Sequence, residues 1–481
     1  MKTRIIIFII AILPAAISCD KERLDIEPNR IYYDNFYQTE DGAVNAINAV
    51  YDVLGSVNQY NSHMWLIQDI ASDDFNVNST LNDPNAREFD QYSIEATNNY
   101  LEGIWRDSYL GISRANIVLK AVPDIKMDSA LKQRVLGEAY FLRGLFYFNL
   151  VRIYGEVPML TKPVSPDLPE SEINLSRADQ ETAYDQIFND FNEASKRLPK
   201  QYPGANKGRA TWGAAKGMLA KACLTSEDWE KAAETARQVI DEDVYALHDD
   251  YADNFKQANE NGQESVFEVQ FYENVNSENA RIVISGLPSL QNVFPAGVEM
   301  MLPTADLLNT FEEGDYRKDV TFFDSYWQYE FEPHVWKYWD RDVYDADETG
   351  QSGANFKVMR YAEILLIYAE ALNELNNGPA QAAFDAVNQV RARARNGNED
   401  VLPDLSGLDY QAFREAVWKE KRCETVNEGQ RWFDLKRTQR LIERVNAAKG
   451  DNANPQEYHY KFPVPQRERD LNPNLTQNTG Y

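Results

Sequence analysis

Apolar positions recur at helical spacing in both flanks of the chain and lose that spacing in the middle. From Asp41 onward Ala46, Val50, Val53 and Leu54 fall on one face of a predicted helix. Two longer helices are predicted over residues 100–122 and 130–154. The centre of the second, AYFLRGLFYFNLVRIY, is apolar almost all round, which places it inside a larger assembly. Gly155 and Pro158 end it. Residues 179–198 are amphipathic and stop at Pro199. Residues 211–224 and 228–241 form a tight pair, with Ala214, Ala215, Gly217, Ala220 and Ala222 small enough for close approach. Helices resume over 360–375 and continue after Gly378-Pro379 to about Ala394. Further helices follow over 409–426 and 430–448, the last with Asn427 and Gln430 spaced as a capping box.

Between residues 245 and 355 the texture is irregular, rich in Gly, Pro, Asn and aromatics, with short strand-like runs such as SVFEVQF at 265–271. Small-residue helix pairs of this length resemble tetratricopeptide repeats, whose period is about 34 residues. The expected fold is mainly α. Tetratricopeptide-like pairs from residues 39–244 and 356–481 form a right-handed superhelical scaffold, with 245–355 as an irregular insertion in one domain, 39–481. So long a stretch poor in helix is uncommon unless it carries function.

The N-terminus has its own pattern. Lys2 and Arg4 precede an apolar run from Ile5 to Ile17, and Ser18 leads directly into Cys19. That order predicts a lipoprotein signal over 1–18, lipid on Cys19 and a polar tether over 19–38. The run is too short to span a bilayer, which takes about 20 apolar residues.

Charge narrows the partners. A formal net charge of -27 repels phosphate backbones, so nucleic acid is not expected. With Cys19 committed, Cys223 and Cys423 remain, both on predicted helices, and read as buried thiols. The four histidines are scattered without ligand spacing, so no zinc site is expected. Asp340, Asp342, Asp345, Asp347 and Glu348 cluster near Gly350 but lack EF-hand spacing. A solvated acidic loop is the expectation, with bound calcium as the alternative and no other cofactor implied.

Two segments stand out chemically. Glu420, Arg422, Glu424, Glu428, Arg431 and Asp434 invite an acid/base reading. Like carboxylates one helical turn apart repel unless arginine neutralises them, so a buried structural network is the preferred reading. Residues 322–344 hold 10 aromatics in 23 positions, against about three expected from the chain's 12% aromatic content. Aromatic faces bind the C–H faces of sugars while neighbouring polar groups bond the hydroxyls. Trp327, Tyr329 and Trp339 are the expected exposed platforms; in a strand, Trp336 and Tyr338 would share the face opposite Trp339.

Four segments together resemble the SusD/RagB family of outer-membrane nutrient-binding lipoproteins. They are the long helix ending in a Gly-Val-Pro-like turn (residues 143–160), RYAEILLIYAEALNE at 360–374, KEKRCETVNEGQRWFDLKR at 419–437 and NPNLTQNTGY at the terminus. Thr479 stands where the family pattern has proline. The resemblance implies a non-catalytic, lipid-anchored protein on the cell exterior. It would capture oligosaccharides and deliver them to a TonB-dependent outer-membrane transporter of the SusC type. It also implies ligand contacts from the polar stretch 73–99, where Phe75, Asn76, Asn85, Arg87 and Tyr92 have suitable chemistry. A peptide-binding lid on a similar transporter, a two-carboxylate glycoside hydrolase and a purely structural scaffold remain alternatives.

Overall fold

The computed structural model describes residues 38–164, 169–273 and 279–481. Cys19 and its leader lie outside the described residues. The principal helices are α1 (Glu40–Leu54), α2 (His63–Ile70), α3 (Pro84–Gln91), α4 (Asn99–Ala121), α5 (Ser129–Tyr154), α6 (Gln180–Ser195), α7 (Trp212–Thr225), α8 (Trp229–Asp241), α9 (Tyr361–Asn376), α10 (Gln381–Ala394), α11 (Tyr410–Glu424), α12 (Arg431–Arg437) and α13 (Leu441–Lys449). Six short strands accompany them: β1 (Phe75–Val77), β2 (Ser265–Val269), β3 (Met301–Pro303), β4 (Phe322–Tyr326), β5 (Tyr329–Val335) and β6 (Phe356–Arg360). They pair antiparallel as β1–β3, β2–β6 and β4–β5. Among the described residues no helix is long and apolar enough to cross a membrane.

The helices stack in a continuous series. α1 packs on α4, α4 on α5, α5 on α6, α6 on α7, α7 on α8, α8 on α9, and α9 on both α10 and α11. This is the mainly α, tetratricopeptide-like arrangement the periodicity predicts. α8 and α9 are joined in space although the irregular segment separates them in sequence. That segment therefore leaves the helical stack at Asp241 and returns through β6, which pairs with β2 and runs straight into α9.

Local chemistry sets the element ends. Asp128 caps α5, its Oδ1 accepting from the Leu131 N–H at 2.8 Å. Gly155, at φ 78°, ends the same helix. α5 is buried between α4 and α6, which explains an apolar surface on every side. Gly111 lets α4 approach: a Cβ there would stand 2.2 Å from the Phe146 ring.

Three expectations change. The last predicted helix is broken between α12 and α13, where Gln439 takes φ 56° and the Arg440 N–H reaches back to the Leu435 carbonyl at 2.9 Å. The capping box does not form either. Gln430 makes no side-chain cap bond; its Oε1 instead accepts from Lys221 Nζ at 2.6 Å. The stretch 73–99 is not a plain polar loop, since it holds β1 and α3. Asp83 caps α3 through the Ala86 N–H at 3.0 Å, and Pro84 occupies its first turn.

Candidate functional site

The aromatic segment folds as the β4–β5 hairpin and the turn after it. Tyr326 pairs with Tyr329, which leaves Trp327-Gln328 as a two-residue connection. Such connections demand a positive φ, usually supplied by Gly or Asn. Here Trp327 supplies it, at φ 53°. The left-handed conformation costs an L-residue roughly 1–2 kcal/mol. The same geometry leaves the indole 79% exposed.

Beneath that ring the others are braced. Trp327 stacks on Tyr326, with centroids 5.3 Å apart and planes at 24°. Tyr326 rests on Phe294 at 5.2 Å and on Trp339 at 5.5 Å, and Trp339 meets Phe294 edge-on at 5.5 Å. Tyr329 is half-buried beside Tyr326. Ser325, Gln328 and Glu330 are exposed around the tip and offer both donors and acceptors.

The expectation of an exposed platform at Trp339 is corrected. β5 ends at Val335 and the chain turns, with the Trp339 N–H bonded to the Trp336 carbonyl at 2.8 Å. Trp339 is 5% exposed and its Nε1 donates to the Tyr344 carbonyl at 3.0 Å. It is a pillar under Tyr326. Trp336 is covered on both faces, by Phe323 at 4.6 Å and by the Arg341 guanidinium at 3.8 Å. Lys337 and Tyr338 are buried.

The second segment reaches the same neighbourhood through β3, which pairs with β1 and packs beside β5. Its residues divide. Phe75 is fully buried. Tyr92 is buried at the end of α3, its hydroxyl donating to the Ala71 carbonyl. Both belong to the core rather than to a ligand surface. Arg87 Nη2 gathers the carbonyls of Asn78, Ser79 and Leu81 and so clamps the loop after β1. Asn85 Oδ1 accepts from the Asn99 N–H at 3.0 Å. Asn76 is half-buried on β1, where it pairs with Leu302 of β3.

The Glu/Arg-rich segment is a saturated seam between the helical stack and the irregular segment. Arg360 contacts Glu264 at 2.8 Å, Glu424 at 2.7 Å and Glu428 at 2.7 Å. Arg317 contacts Asp315 at 2.7 Å and Glu420 at 2.7 Å. Arg422 holds Asp74 at 2.8 Å and Asp306 at 2.7 Å, while Arg431 holds Asp73 at 2.7 Å. Lys421 bridges Glu363 and Asp434, and Lys337 meets Glu428 at 2.6 Å. Burial pushes the Glu424 carboxyl up, but Arg393, Arg360 and Arg317 overcome it and leave it at about 2. A carboxylate so held stays ionised near neutral pH, which suits Glu424 to a structural ion pair. Burial pushes the Cys223 and Cys423 thiols up to about 12, which makes both inert.

Two carboxylates of the acidic loop, Asp340 and Glu348, are engaged with backbone N–H groups. Asp340 accepts the Gln257 and Asp342 N–H groups at 2.8 and 3.1 Å, and Glu348 accepts that of Asp345 at 3.3 Å. Among the described residues no three His, Cys, Asp or Glu side chains converge to hold a metal ion.

Comparison with known proteins supplies independent findings. A family model described as the SusD family matches residues 330–481. A second, described as starch-binding and associating with the outer membrane, matches residues 25–224. SusD-like protein P25 of Formosa agariphila is 27% identical over 545 residues, covering 100% of both chains. A SusD superfamily protein from Parabacteroides distasonis superposes with a TM-score of 0.81 at 27% identity, covering 92% of this chain and 99% of the other. A laminarin-binding SusD-like protein superposes with a TM-score of 0.79 at 28% identity, covering 92% of this chain and 100% of the other.

Proposed function

This chain belongs to the SusD/RagB-like family, and from that premise we propose that it is a non-catalytic surface lipoprotein that captures oligosaccharides and passes them to a SusC-like, TonB-dependent outer-membrane transporter. Lipid on Cys19 anchors it to the outer membrane with the body facing the exterior. The observation that carries the reading is Trp327: a bulky ring held in a left-handed turn, 79% exposed and braced from below by Tyr326. Strained residues held by their surroundings cluster at ligand sites. The laminarin-binding relative of the same fold supports a glycan as the ligand.

The binding surface is an open shelf. Trp327 stacks on the sugar with Tyr326 as its support, Tyr329 flanks it, and Asn76 and Gln328 serve its hydroxyls. Sugars are strongly hydrated, so affinity for a short oligosaccharide is modest and contact over several residues of a chain raises it.

The test is gel retardation of the purified protein in a panel of neutral polysaccharides, laminarin among them, beside calorimetric titration with short peptides. Retardation by at least one polysaccharide, reduced about tenfold or more in affinity by Trp327→Ala, is expected. Saturable binding of peptides with no retardation by any glycan would transfer the assignment to a peptide lid. Affinity purification of the lipidated protein from outer membranes should bring down a large TonB-dependent barrel. Recovery of the lipoprotein alone under conditions that preserve other outer-membrane complexes would refute the partnership.

A further inference from the structure

Two cations stand apart from the saturated seam. Arg152, on the last turn of α5, is 6% exposed. Its guanidinium lies between the rings of Phe148 and Phe433, at 4.1 and 3.7 Å from their centroids. Nη2 donates to Asn149 Oδ1 at 2.6 Å, and Nε is buried with no hydrogen-bond partner. Among the described residues no carboxylate reaches ion-pair distance of Arg152, in contrast to Arg360 with three. Lys436, on α12, donates its ammonium to the Arg152 carbonyl and likewise meets no carboxylate among the described residues.

Both cations line one open cleft of about 550 Å³, bounded by α5, α6, the turn joining α7 to α8, and α12. Tyr184, Phe188 and Phe433 supply its apolar walls. Glu181, Asp185 and Glu227 lie exposed on its rim. Arg437 lines it too, but Glu370 and Asp434 hold that side chain. Burial, with Lys461 and Arg152 adding to it, lowers the Lys436 ammonium to about 7, and burial lowers Arg152 to about 10. A void of about 10 Å³ also adjoins Arg152, beside Tyr60 and Gln430. It has room for one water, which satisfies a donor but does not balance a charge.

We propose that this cleft binds a small monocarboxylate with a ring-shaped body. The carboxylate bridges Arg152 and Lys436, and the ring lies against Tyr184, Phe188 and Phe433. A planar guanidinium edge suits a carboxylate, and the adjacent ammonium completes the pair. The acidic rim repels polyanions, so one negative charge on an otherwise neutral ring fits best. Two sources share this chemistry, a uronic acid sugar and a free aromatic acid. The site is separate from the hairpin and does not rest on the glycan reading.

The experiment is calorimetric titration of the intact protein with D-glucuronate, with phenylacetate and with sodium sulfate. One of the two organic acids should saturate at one site per chain, and which one does identifies the source. Lys436→Gln should weaken it about tenfold or more, with the thermal midpoint and polysaccharide retardation unchanged. Tyr184→Ala at the half-buried wall should weaken it severalfold. The proposal is overturned if neither organic acid saturates, if sulfate binds as tightly as both, or if a folded Lys436→Gln protein keeps full affinity.

Discussion

The seam around Arg360 and the hairpin around Trp327 are both dense in residues that promise chemistry, and they use them in opposite ways. In the seam every prominent charge is answered within the molecule: Arg360 by Glu264, Glu424 and Glu428, Arg317 by Asp315 and Glu420, Arg431 by Asp73. In the hairpin the stacking order runs outward from Phe294 and Trp339 to Tyr326 and stops at Trp327, over whose outer face no ring lies among the described residues. A group answered inside the fold holds the fold. A group braced from one side and open on the other is available to a ligand. By that standard the glutamates and arginines are architecture, and the exposed indole is the proposed working surface.

Four substitutions or conditions bear on this division. Arg360→Met should have the largest effect, because it leaves three buried carboxylates without their shared cation. Loss of about 3–5 kcal/mol is expected in urea unfolding. A loss below about 1 kcal/mol would mean the seam is ornamental. Trp339→Ala should cost about 3–5 kcal/mol as a buried ring is replaced by a cavity, and Trp339→Phe much less. A Trp339→Ala protein of unchanged stability that no longer binds glycan would make Trp339 part of the working surface after all.

Acid should weaken the seam in a defined window. Glu424 has its folded-state pKa lowered to about 2 from an ordinary 4.5. Its stabilisation is complete above about 4.5 and is lost as pH falls toward 2. The urea midpoint should fall over that range more steeply in the native protein than in Glu424→Gln; equal slopes would remove Glu424 from the account. The smallest effect on stability belongs to Trp327. Trp327→Asn should shift unfolding by less than about 1 kcal/mol, toward greater stability, because Asn tolerates the left-handed turn. A marked destabilisation would show that the ring serves the fold.

Much of the scaffold was legible because helical periodicity reports a buried face directly. α4 to α11 follow the apolar spacing closely. α3 was missed although Asp83-Pro84 is a cap followed by a first-turn proline, because the surrounding composition is too polar to suggest a buried element. The hairpin turn was hidden for another reason: Trp-Gln is not a turn dipeptide, and the φ of Trp327 comes from the strand pairing on either side. Alternation of aromatic and polar residues singles out the segment that folds as the hairpin but does not sort its rings into buried and exposed. Trp339 lies past the end of the strand, where period-two reasoning no longer applies. The burial of Asp73 and Asp74 is not legible locally because their cations, Arg431 and Arg422, lie far along the chain.

The most direct measurement compares Trp327→Ala with the native protein on the polysaccharide that retards it best, with thermal midpoints taken on the same samples. The account predicts at least about a tenfold loss of affinity, ~1.4 kcal/mol, with midpoints that coincide. Undiminished retardation in a folded Trp327→Ala protein would contradict it.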